Sequence, residues 1–239
     1  MTAARRKPRV HNAMIKTLAS KILSGEFPEG KPLPPEAELC EMLSVSRGSL
    51  REATRVLAVK GLLAPRPRVG TVVRPRDDWN LLDADLLTWA AELSLSPDFA
   101  QSLVEARQVI EPAAARLAAQ RATARDLLAI EEAFDRMRQA TADNDVEAFI
   151  LADIDFHTAL LRASHNMVFK QLASTVGTAL EYAFRANAKR GRRPGESIDD
   201  HAAVLERIRV RDADGASEAL ARLLGAVAYW LSHENPRGG

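Results

Sequence analysis

The 239-residue chain has a single cysteine, Cys40. One thiol excludes an intramolecular disulfide, and its place among apolar helix positions fits a reducing cytoplasm. No apolar run approaches the ~20 residues that span a bilayer, which excludes a transmembrane helix. The first arginines are not followed by an apolar stretch, so the start of the chain does not read as a secretory signal. The expectation is a cytoplasmic protein with no membrane partner. From Pro97 to His233 strand-like alternation is missing too, and only helical patterns follow one another.

Net charge is also scarce, at +1, but it is unevenly spread. Residues 1–76 carry 15 Lys/Arg against 6 Asp/Glu, and the remainder carries 18 against 26. A basic front joined to an acidic back points to a polyanion-binding domain linked to a domain with another task. The length, with 46% hydrophobic residues, is ample for two cores.

In the front segment, residues 1–9 read as a loose basic arm. Met14, Ile15, Leu18, Ile22 and Leu23 mark one face of a helix over Val10–Ser24, and a proline-rich loop follows. Glu36–Leu43 is a second short helix, and Ser44–Ser46 is a turn. A third helix runs to Lys60, with Leu50, Ala53 and Leu57 inward and Arg47, Arg51 and Arg55 on another face. Like charges four apart on a helix repel, so an external anion is the natural partner of that arginine row. Arginine donates twice to guanine O6 and N7 in the DNA major groove, which suits such a face. A solvated basic surface is the competing reading. Ser46 is placed to cap the helix. Two strands, Leu62–Ala64 and Thr71–Val73, then flank a tip holding Arg66, Arg68 and Gly70. Three helices and a basic hairpin make a winged helix-turn-helix over residues 1–76.

Residues 77–97 form a linker in which Trp79, Leu82, Leu86 and Trp89 recur at near-helical spacing and would dock an amphipathic helix. Residues 98–239 read as an all-α bundle, with helices over Phe99–Gln120, Ala124–Ala142, Val146–Ala163, Val168–Lys189, Ser197–Val210 and Ala216–Ser232. The fold class is therefore mainly α. Within the bundle, Asp153 and His157 share a stripe with Val146, Phe149 and Leu160. His201 lies with Val204, Leu205 and Ile208, and Arg107 with Leu103, Ile110 and Ala114. Polar groups on inward stripes need partners. Together the four suggest a pocket for a small anion, with or without a metal, against the alternative of a ligand-free hydrogen-bonded network.

The stretch PLPPEAELCEMLSVSRGSLREATRVLAVKGLLAPRPRVGTVV resembles the DNA-binding domain of GntR-family bacterial transcription regulators, whose pattern is LPSER-x-LA, then VSR-x-(S/T)-(V/L)-REA, then a wing ending GT-x-V. The resemblance implies operator contacts at Ser46, Arg47, Ser49 and Arg51, and wing contacts at Arg68 and Gly70. Two departures stand out: Ala37 replaces a customary arginine, and the wing reads PRVG where PGRG is usual. VEARQVIEPAAARLAA, DIDFHTALLRASHN and DDHAAVLERI resemble the FCD effector domain of the FadR branch. That resemblance implies divalent-metal ligands at Asp153, His157 and His201, with zinc or nickel as the ion. A third histidine of that family set aligns with Leu223. Linker, missing histidine and SHN turn most resemble the galactonate-operon repressor group. The implied protein is a homodimeric repressor, not an enzyme, that leaves double-stranded operator DNA when a sugar acid meets Arg107, Asp153, His157 and His201. The alternatives are a same-family regulator sensing lactate, an amino acid or another small carboxylate, and a metal-dependent enzyme using Asp153, His157 and His201.

Overall fold

Helix α1, Lys7–Leu23, starts three residues ahead of the expected Val10, so Lys7 to Arg9 are helical rather than part of a loose arm. The computed structural model describes residues 7–92, 97–173, 175–178, 180–181 and 196–232, and the chain divides into two units, Met1–Ser94 and Leu95–Gly239. In the first unit α2, Glu36–Met42, and α3, Arg47–Val59, follow α1. Ser44, at φ 53°, ends α2 in the left-handed region. The amide of Val45 then donates to the Cys40 carbonyl and that of Ser44 to Glu41, which reverses the chain sharply enough for α3 to begin at once. Ser46 caps α3 by accepting from the Ser49 amide.

Strands β1, Leu63–Arg66, and β2, Gly70–Val73, pair antiparallel from Leu63 opposite Val73 to Arg66 opposite Gly70. The ladder runs further out than the apolar pattern suggested, so Arg66 and Gly70 close it and only Arg68, at φ 64°, stands at the tip. A 3₁₀ turn, Arg76–Asp78, leads to α4, Ala84–Glu92. Trp79, Leu86 and half-buried Trp89 join the core that α1 and α3 form with Leu18, Leu57 and Leu62. Leu82 remains outside at 56% exposure and Leu87 is buried instead, because α4 starts only after Leu82. Gly61, at φ +84°, is required here: a Cβ would lie 2.7 Å from the Asp78 carbonyl.

The second unit is helical where described: α5, Pro97–Arg121; α6, Ala124–Ala142; α7, Val146–Ala163; α8, Met167–Gln171; α9, Ile198–Arg209; and α10, Ala213–Ser232. A single helix over Val168–Lys189 is not observed. Asn166 caps the short α8, a turn intervenes at Leu172, and helical residues resume at 173, 175–178 and 180–181. The rest of that expected helix lies outside the described residues. Ala114, Ala115, Ala118 and Ala119 of α5 are wholly buried, and side chains this small let neighbouring helices approach closely. Phe149, Phe156 and Leu160 of α7 complete the core with Ile208 of α9 and Leu220 of α10. Among the described residues no helix is long and apolar enough to cross a membrane.

Candidate functional site

In the first unit Ser46, Arg47, Arg51, Arg55, Arg68 and Gly70 are exposed and Ser49 is half-buried. The apolar face of α3 is taken up by Leu50, Ala53 and Leu57, so its arginines have only the outer face. Ser49 is less available than its position implied, because its hydroxyl is 2.9 Å from that of Ser46. Arg51 is engaged as well: its Nε donates to Oε2 of Glu36 at 3.1 Å. Neither Glu36 nor this pairing was apparent from the sequence, since the two residues lie on different helices.

The second unit brings Asp153, His157 and His201 together. Asp153 and His157 are one turn apart on α7, and α9 presents His201 from across the core. All three are 2% exposed, and one ligand atom from each lies within 4.8 Å of the others. His201 Nε2 is 3.0 Å from Asp153 Oδ1 and 3.3 Å from His157 Nε2, while His157 Nε2 is 3.9 Å from Asp153 Oδ2. Phe156 meets both imidazoles edge-on, at 5.6 Å from His157 and 5.1 Å from His201, and steadies the planes of the rings.

The other ring nitrogens decide the protonation pattern. His201 Nδ1 is 2.7 Å from the Ser197 carbonyl, which only accepts, so Nδ1 carries the proton. His157 Nδ1 is 2.5 Å from Oε2 of Glu111. Burial pushes the Glu111 carboxyl up, but the Arg107 guanidinium and His157 outweigh it and hold the group down at about 2. Glu111 is thus an acceptor, and His157 Nδ1 donates to it. Arg107 Nε donates to Oε1 of the same carboxylate at 2.5 Å. A neutral imidazole protonated on Nδ1 has its lone pair on Nε2. Two such lone pairs and a carboxylate therefore face one another. Burial raises the Asp153 carboxyl, yet His157 and His201 in their charged form, together with Arg107, hold it below its usual range, and a cation at the centre would take over that part when both rings are neutral.

The donor set fits a cation. Asp153 Oδ2 is buried with no hydrogen-bond partner among the described residues. Without a positive charge at the centre, that oxygen and at least one Nε2 lone pair lack a protein partner among the described residues in a buried site. Ligands each ~2.0–2.1 Å from one ion stand ~3–3.5 Å apart, close to the separations seen. Two imidazoles and one carboxylate suit zinc or nickel, with positions left open. Each histidine also has the outer hydrogen bond that metal-bound imidazoles usually make, to a carboxylate for His157 and to a carbonyl for His201. Leu223, at 1% exposure, is packed in the core and offers no ligand.

Glu111 is the group that the sequence reading lacked. It is wholly buried on α5 and links Arg107 to His157. A signal was present: a glutamate four residues after Arg107, on the same helix face. Arg107, read as a free guanidinium for an anion, is bound through Nε.

Comparison with known proteins agrees with both units. Residues 12–73 match the family model for bacterial regulatory proteins of the gntR family, and residues 102–226 match the FCD domain. The chain is 36% identical over 215 residues to the galactonate operon transcriptional repressor of Escherichia coli K12, covering 89% of this chain and 93% of that protein. It is 35% identical over 206 residues to the putative L-lactate dehydrogenase operon regulatory protein of the same organism, covering 83% of this chain and 77% of the relative. A solved GntR structure from Streptococcus agalactiae matches with a TM-score of 0.51 at 26% identity, covering 92% of this chain and 99% of that one. With both family models matched in this order along one chain, and a regulator relative aligned over most of its length, the chain belongs to the gntR family of bacterial transcription regulators, in the branch that carries an FCD domain.

Proposed function

We propose that this regulator is a homodimeric repressor released from a pseudo-palindromic operator by a small hydroxy acid, an aldonate-type sugar acid first, and that Asp153, His157 and His201 hold a divalent ion at the effector site. The observation that carries the reading is the buried Oδ2 of Asp153, without a hydrogen-bond partner among the described residues, beside the Nε2 atoms of His157 and His201. Bound there, zinc or nickel would supply a Lewis-acidic centre for a carboxylate and neighbouring hydroxyl. Glu111 and the Ser197 carbonyl hold the two imidazoles in the ligating tautomer. Arg107 would reach the effector carboxylate through its Nη groups, since Nε is taken by Glu111. These residues sit inside the helical unit, so a ligand reaching them must part the helices. Effector entry and rearrangement are then one event. The coupling is reciprocal: operator DNA weakens effector binding by the factor with which effector weakens operator binding.

The similarity to the galactonate operon repressor favours an aldonate. The similarity to a lactate-operon regulator supports a second reading, a shorter hydroxy acid at the same site. An enzymatic role is disfavoured by the similarity to transcription regulators along both units. On the DNA side, Ser46, Arg47, Ser49 and Arg51 of the α3 turn would contact the operator, with Arg68 and Gly70 on the wing. The test combines thermal-shift screening of aldonates and short hydroxy acids, with and without chelator, and a gel shift. His157→Ala should keep operator affinity and lose release by the effector found. Normal release in that variant refutes the site. Arg47→Ala should weaken specific operator binding by ~1–3 kcal/mol, and unchanged affinity at fixed salt refutes the α3 contacts.

A further inference from the structure

We infer that Glu36 is a positioning residue for DNA reading: by holding Nε of Arg51 it aims the two Nη groups of that arginine at one base pair of the operator. The inference rests on the proposed base contact of Arg51. Its basis is a pair that stability does not explain. Arg51 is 72% exposed along its side chain, and Glu36 Oε2 receives its Nε at 3.1 Å. A pair as exposed as this contributes little to folding, because water and salt screen it. The other oxygen of the same carboxylate, Oε1, is buried with no hydrogen-bond partner among the described residues. Desolvating a carboxylate oxygen without a partner is unfavourable. The arrangement therefore works against stability, and it places a negative charge beside a surface that must meet phosphates. Orientation of Arg51 is what remains to be gained.

The chemistry is specific. Guanidinium has five N–H donors, and a long exposed side chain samples many rotamers. Fixing Nε from the protein side leaves the Nη groups as the outward edge, the pair of donors that guanine O6 and N7 accept in the major groove. Glu36 opens α2 and Arg51 lies on α3, so the hydrogen bond also ties the arginine to the preceding helix of the turn motif. A second reading is that Glu36 serves only as a negative charge in the first turn of α2. Glu38 shares that turn, but Arg51 pairs with Glu36 and not with it, so it serves as the control.

The experiment uses the full chain and a duplex that it selects from a random-sequence pool. Each guanine of the duplex is replaced in turn by 7-deazaguanine, which removes the N7 acceptor. Arg51→Ala should lose sensitivity to one such replacement, together with ~5–150-fold of specific affinity. Glu36→Ala, which leaves no acceptor for Nε, should lose at least ~5-fold of the discrimination at that same guanine, yet bind random-sequence DNA as tightly as the parent or tighter, since a repelling charge is gone. Glu36→Asp, too short to reach Nε, should lose the discrimination while keeping the charge. Glu38→Gln should share only the gain in non-specific binding. If Arg51→Ala loses sensitivity at a guanine and Glu36→Ala and Glu36→Asp do not, the positioning role is overturned while the base contact stands. If Arg51→Ala loses sensitivity at none, the base contact fails and the inference falls with it.

Discussion

Replacing Glu111 by glutamine should be among the most damaging single-atom changes in the helical unit. The carboxylate is wholly buried and bound to both Arg107 Nε and His157 Nδ1 at 2.5 Å. Its carboxyl falls from 4.5 to about 2 in spite of complete burial. At ~1.4 kcal/mol per pKa unit, that depression corresponds to about 3 kcal/mol in favour of the charged form. Removing one partner of a buried pair costs about 3–5 kcal/mol, because the other charge is left alone in a poor solvent. Glutamine retains an acceptor for His157, so the loss isolates the stranded Arg107 charge, whose side chain is 4% exposed. Arg107→Met alone should be of similar severity. The double variant should recover most of the loss, to within about 1–2 kcal/mol of the parent, since neither charge then remains. Urea unfolding of the full chain at neutral pH with chelator present measures the totals, and hydrogen exchange of α5 and α7 amides assigns them to this unit. A Glu111→Gln variant within about 1 kcal/mol of the parent refutes the reasoning, as does a double variant whose loss equals the sum of the singles.

Glu111→Gln should also weaken zinc binding by about 10–100-fold in competition with a chromogenic chelator, because a neutral amide behind His157 leaves that ring a weaker base than a carboxylate does, and undiminished affinity counts against the outer carboxylate. Burial raises the Asp83 carboxyl, but the Lys60 ammonium and the amides of Leu86 and Asp85 lower it below 3.8 overall. A depressed carboxyl contributes stability that is fully present above its unfolded value and lost as pH falls through its folded value. Asp83→Asn should therefore lose about 1 kcal/mol at neutral pH, a deficit that closes below pH 3.8 in unfolding titrations and that must not widen there. Ser46→Ala removes the oxygen that receives the Ser49 amide and should lower stability by about 0.5–2 kcal/mol in urea unfolding, with no loss pointing to another cap.

Much of the architecture was legible along the chain because it follows from local periodicity. The spacing of Leu50, Ala53 and Leu57 marks α3, and Ser46 opens it as its side chain suggests. The spans Ala124–Ala142 and Val146–Ala163 are those of α6 and α7. Errors fell where backbone pairing or a left-handed residue, rather than side-chain period, sets the boundary. The wing ladder extends to Arg66 and Gly70 through backbone hydrogen bonds, which carry no side-chain signature. In the segment before α4, Leu82 matches the apolar spacing but precedes the helix, so the spacing does not apply to it.

At the sites the same division holds. Asp153 and His157 are one helical turn apart, and a stripe of Phe149 and Leu160 on either side shows which way they face. What only the tertiary structure decided is the company they keep: His201 from α9 at 3.0 Å from Asp153, Glu111 from α5 behind His157, and an Asp153 oxygen left without a partner among the described residues. The Arg51 row likewise announced an anion, while Glu36 beside it did not announce itself. A helix fixes neighbours three and four residues apart by its own geometry, so the sequence by itself determines faces. Partners on different helices depend on how those faces pack, and that was settled only when the cores closed.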